Sequence, residues 1–152
     1  MKNNGFTLME LLIVVIIIAG FAGFAYPSYM ESLERARASE AVQMLGTIQA
    51  AQQKHYVNYE SYATTFLDLN DFTPAIKDFD PDNYYFNTEY FYYVLREGNP
   101  VATADRMPHK GYLFEAYYTE DFIRCIPSND KWEKVCSSLT DKEKKDGYYP
   151  IY

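Results

Sequence analysis

The sequence predicts an α+β protein: one long N-terminal α-helix, membrane-spanning in its first half, packed on a small antiparallel β-sheet head. Three observations carry this expectation. The 21 residues from Phe6 to Tyr26 are apolar apart from Thr7 and Glu10. Helix formers with apolar positions at threes and fours then continue to about Tyr56. Beyond them, aromatic-rich segments alternate with Gly, Pro and Asn.

A chain of 152 residues has room for one modest core. Its 16 Tyr and 10 Phe, against 7 Gly and 7 Pro, are the composition of a folded domain. A formal charge of −7 opposes phosphate binding, which needs clustered Lys and Arg, so no nucleic acid is expected as partner. No GxSxG, P-loop or zinc-spaced Cys/His cluster occurs, and His55 and His109 lie on a helix end and in a Pro-flanked loop. The expectation is a protein that is not an enzyme and carries no cofactor.

At the N-terminus, 21 residues at the helical rise cover roughly 30 Å, the thickness of a bilayer's hydrocarbon layer. Lys2 and the initiator amine precede the run and keep that end cytoplasmic. Glu10 is the anomaly, because an ionised carboxylate at the centre of a membrane costs on the order of 3 kcal/mol. It calls for a specific partner. The alternatives are a position shallow enough to reach cytoplasmic headgroups, or a conventional signal sequence with an odd acidic residue.

The residues Gly5-Phe6-Thr7-Leu8-Met9-Glu10-Leu11-Leu12 resemble the processing motif of type IV prepilins and type II secretion pseudopilins. The resemblance covers the first 50 or so residues closely and implies a type IV pilin-like fold. It makes residues 1–5 a prepilin leader, 6–26 the transmembrane and polymerisation half of the helix, 27–56 its amphipathic half, and 57–152 the globular head. It also implies a prepilin peptidase that cuts after Gly5 and methylates the new amine of Phe6, and an inner-membrane assembly platform. Glu10 takes the place of the family's glutamate.

Physics gives these residues compatible roles. Cleavage turns the neutral amide nitrogen of Phe6 into an α-amine that is largely cationic at neutral pH. In a bundle of such helices, Glu10 of one subunit can pair with Phe6 of its neighbour and set axial register. The apolar surface from Leu8 to Phe24 supplies the attraction. Gly20, Gly23 and Pro27 lie together, and Pro27 removes a helix donor and clashes with the carbonyl of Gly23, so a kink is expected there. The family's equivalent stretch can lose helical structure in the filament; an ordinary kink is the alternative.

Leu33, Ala36, Met44, Leu45, Ile48 and Ala51 form the apolar positions of the outer half. Glu31, Glu34, Arg35, Arg37 and Glu40 read as a mostly solvated face. Breakers from Asn58 to Pro74 make a connecting loop. Three strands are expected, Glu89 to Arg96, Tyr112 to Tyr118 and Phe122 to Ile126. Core and interface use explains their aromatic residues better than electron conduction.

Cys125 and Cys136 close a short loop, and with a translocation signal upstream a disulfide is the economical reading, free buried thiols the alternative. Such a loop is similar to the disulfide-bounded region of many type IV pilins. Lys131, Trp132 and Glu133 inside it are expected to be exposed. Asp78, Asp80, Asp82 and Glu89 reproduce the acidic spacing of an EF-hand loop, but Asn83 replaces its turn glycine and Pro81 stiffens it. An Asp-Pro turn is the favoured reading, so no metal is expected.

The functional expectation is a structural pilin, preferred over a type II secretion pseudopilin because of the cysteine pair. It would be a single-pass inner-membrane protein before assembly, in contact with membrane lipid, and part of a cell-surface or periplasm-spanning homo-oligomeric filament with other pilins afterwards. A periplasmic protein released by ordinary signal peptidase at Gly23-Phe24-Ala25 is the competing class. A DNA-uptake minor pilin needs a basic patch, for which Lys142, Lys144 and Lys145 are the candidates.

Overall fold

The computed structural model describes residues 6–69, 72, 74, 79–108 and 111–152. The chain divides into two compact units, Met1–Glu34 and Arg35–Tyr152. Helix α1, Leu8–Tyr59, supplies elements of both. The helix runs through Gly20, Gly23 and Pro27. It ends three residues beyond the expected Tyr56, where Glu60 adopts a left-handed conformation (φ 56°) and donates its N–H to the Tyr56 carbonyl at 2.8 Å. That is the usual way to stop a helix, here without glycine.

Within the larger unit the buried stripe of α1 is Ala38, Ala41, Leu45, Ile48 and Gln52, spaced by threes and fours. The expected positions Leu45 and Ile48 lie on this stripe, whereas Ala36 is exposed. The stripe narrows to alanine near its start, which lets other elements approach the helix closely. Gln52 is fully buried yet satisfied. Its amide accepts from the Ala63 N–H and donates to the Ala63 carbonyl, both at 2.9 Å, and so fastens the post-helix loop. Gln49 does the same for a second loop, donating to the carbonyls of Tyr117 and Glu120.

The head is a six-stranded antiparallel meander, twice the expected strand number. Its strands are β1 (Tyr85–Asn87), β2 (Phe91–Leu95), β3 (Ala102–Arg106), β4 (Tyr112–Ala116), β5 (Ile123–Pro127) and β6 (Tyr149–Ile151), in that spatial order. The three expected strands are β2, β4 and β5. Register puts Phe86, Tyr93, Ala104, Phe114, Cys125 and Tyr149 in one row across the sheet, every member buried. Ala104 gives the rings of Tyr93 and Phe114 room on either side. Phe86 stacks on Tyr93 with centroids 4.7 Å apart and meets Phe66 edge-on at 5.0 Å. Such pairs add to simple burial. Gly98 (φ 113°) makes the β2–β3 turn possible.

A nine-residue helix, α2 (Asp130–Ser138), occupies the segment expected as a disulfide-bounded loop. Asn129 caps it, its side chain accepting from the Lys131 N–H at 3.1 Å. The disulfide Cys125–Cys136 therefore joins β5 to α2, with Cα atoms 5.6 Å apart.

Candidate functional site

The chemistry-bearing residues of the N-terminal unit gather at the first turn of α1. Thr7 and Glu10 form a reciprocal capping box. The Thr7 N–H and hydroxyl both donate to Glu10 Oε2, at 2.9 and 2.8 Å, while the Glu10 N–H donates to Thr7 Oγ1 at 3.2 Å. The T-x-x-E pattern satisfies helix donors that otherwise have no partner, and a carboxylate there favours the helix dipole. The T-x-x-E spacing of Thr7 and Glu10 is a readable helix-start signal in addition to its place in the processing motif. The other carboxylate oxygen, Oε1, has no donor among the described residues.

Gly5, the residue before the expected cleavage point, lies outside the described residues; Phe6 is described and exposed. Cleavage between them leaves the Phe6–Thr7 peptide bond whole, so the Thr7 N–H remains an amide donor and the box can persist after processing. From Leu8 to Phe24 every large apolar side chain is exposed. A Cβ built on Gly20 or Gly23 meets nothing within 4 Å. The helix is long and apolar enough to cross a membrane, and it anchors the chain there.

In the head, Lys131 is exposed as expected, but Trp132 and Glu133 are half-buried. Trp132 lies over the backbone of Gly111, where an added Cβ would meet the indole at 2.5 Å. Helix formation turns these two residues inward, which a loop reading could not anticipate. Glu133 Oε1 accepts from Lys144 Nζ at 2.9 Å and from the Tyr149 hydroxyl at 2.8 Å, and these two bonds hold its carboxyl below the usual carboxylate range. Lys144 is therefore engaged, and Lys142 sits over the Tyr152 ring at 6.0 Å. With Asp141, Glu143 and Asp146 interleaved, the lysines make no basic patch.

On β5, Arg124 pairs with Glu120 and lies over the rings of Tyr117 (4.0 Å) and Tyr148 (4.5 Å). Asp80 accepts from the Asp82 N–H (3.1 Å) and the Asn83 amide (2.8 Å), the bonding of an Asx turn. Asp78 and His109 lie outside the described residues. Among the described residues, no three His, Cys, Asp or Glu side chains form a group able to hold a metal. His55 stands near the end of α1 with Nδ1 2.7 Å from the Ser61 carbonyl, a bond that fixes its ring.

No curated protein and no solved structure matches the chain. Residues 1–26 match a family model described as the prokaryotic N-terminal methylation motif. The chain thus carries, ahead of an α+β head, the leader of the type IV pilin and pseudopilin class.

Proposed function

We propose that this protein is a structural subunit of a type IV pilus-like filament, stored in the inner membrane, cut after Gly5, methylated at Phe6 and assembled through α1. The observation that carries the reading is the first turn of α1. One carboxylate stands at the head of an uncovered apolar helix, with one oxygen held by Thr7 and the other without a donor among the described residues. The cation made by processing, the Phe6 amine of a neighbouring subunit, has the right sign to take that second oxygen. Apolar contact between helices supplies the attraction, and the charge pair selects the register.

Release from lipid and reburial among other subunits accounts for a helix whose apolar side chains touch little of their own chain. The Cys125–Cys136 disulfide supports the pilus reading over a type II secretion pseudopilin and implies an oxidising compartment.

Two measurements test this. The mature protein should begin at Phe6 with a methylated amine by mass spectrometry; a start at Tyr26 would make it a periplasmic product of ordinary signal peptidase. In cells expressing only Glu10→Val, filaments counted by electron microscopy should fall at least about tenfold, since truncating one member of a buried charge pair strands the other. Unchanged filament number and helical register would refute the pairing.

A further inference from the structure

Of the 16 tyrosines, only Tyr26 and Tyr29 precede residue 30, and the next is Tyr56. Both lie in α1, 67% and 63% exposed. Three residues apart, they share one side of the helix, about 60° from each other. Neither hydroxyl has a hydrogen-bond partner among the described residues.

The side chains change character in order along this stretch. Phe21 and Phe24 are hydrocarbon to the tip, Tyr26 and Tyr29 add a hydroxyl, and Glu31 and Glu34 bring the first charges since Glu10. The 20 residues from Phe6 to Ala25 cover about 30 Å of helix, one hydrocarbon thickness, so the boundary falls at Tyr26.

We propose that Tyr26 and Tyr29 are an interfacial anchor, seated in the glycerol and headgroup layer of the outer leaflet while the subunit is stored in the membrane. This rests on the membrane-stored reading above. The partner is lipid because the site needs two things at one level: apolar contact for the rings and water or ester oxygens for the hydroxyls. The bilayer interface offers both, and amphipathic aromatic side chains collect there. Burying both hydroxyls among aliphatic side chains would leave them without partners.

The anchor has a consequence at the other end of the span. Glu10 lies 16 residues before Tyr26, about 24 Å along the helix axis. With Tyr26 held at the outer boundary, the carboxylate is fixed about 6 Å inside the cytoplasmic one, within reach of that face and away from the costly centre.

The test uses the full-length chain in vesicles of phosphatidylcholine and phosphatidylglycerol carrying bromine at one of two depths, near the glycerol end of the acyl chain or near its methyl terminus. Tryptophan reporters Tyr26→Trp and Phe21→Trp are read against the parent chain, whose Trp132 supplies the background. Tyr26→Trp should be quenched about twofold more by the shallow bromine, and Phe21→Trp more by the deep one. In a Tyr26→Ala/Tyr29→Ala background the Phe21→Trp depth preference should fall about twofold. Deep quenching at position 26, or a preference at position 21 indifferent to the alanines, overturns the anchor while leaving the membrane span intact. Absence of quenching at both positions overturns the membrane-stored reading itself.

Discussion

Ile16 in the N-terminal unit is 63% exposed, whereas Phe114 in the head is 0% exposed. Both are large and apolar, and the difference tells where each finds its partner. Phe114 finds Phe91, Tyr112 and the rest of the sheet's inner face within its own chain. Ile16 is left largely uncovered by the described residues of its own chain, so further burial has to come from lipid or from other helices. The head is a folding problem solved inside one chain; the N-terminal unit is an assembly problem left open until a partner arrives.

Two equivalent truncations should part company. Phe114→Ala is expected to lower head stability by about 4 kcal/mol in thermal unfolding of the detergent-solubilised chain, and Ile16→Ala by less than about 0.5 kcal/mol. Similar losses in both would mean that the N-terminal unit shares the head's folding transition. Next in size, removing the Cys125–Cys136 bridge with a double serine variant should lower stability by about 3 kcal/mol, detaching α2 from β5 without changing membrane insertion.

The smallest effect concerns Glu133. Its carboxyl is held low by Lys144 and then Tyr149, so its contribution is present above the ordinary glutamate range and is lost as pH falls through the depressed value. Lys144 is raised chiefly by Glu133, so its share is lost only as pH rises through the raised lysine value. Glu133→Gln should therefore melt slightly below the parent near neutral pH and match it in acid. A gap that widens in acid would contradict the bonding described.

The two units also differed in what could be read from sequence. The N-terminal motif and the long apolar helix were legible because their signals are contiguous: a short motif and an unbroken apolar run. Strands β2, β4 and β5 showed through their aromatic residues. Strand β3 did not, because Ala102 and Ala104 have little strand preference of their own; they are small because large neighbours crowd them, and pairing with β2 and β4 makes them a strand. Strand β1 is three residues long. Helix α2 was hidden by its brevity, although Asn129 followed by Asp130 was a cap signal. Strand β6 follows Asp146 and Gly147, both at positive φ, and that Asp-Gly pair was a readable turn. The inward turn of Trp132 depends on the absence of a side chain at Gly111, a residue 21 positions away, which no local pattern encodes.

The meander leaves little strand edge open at its two sides. Its two outermost strands, β1 and β6, are each three residues long, and β6 carries Pro150, which has no N–H to offer a neighbouring strand. In the filament proposed above, heads crowded side by side would have little free strand edge through which to stick to one another. Spacing between subunits would then be left to helices and side chains, and the sheets would be kept from fusing into a continuous ribbon.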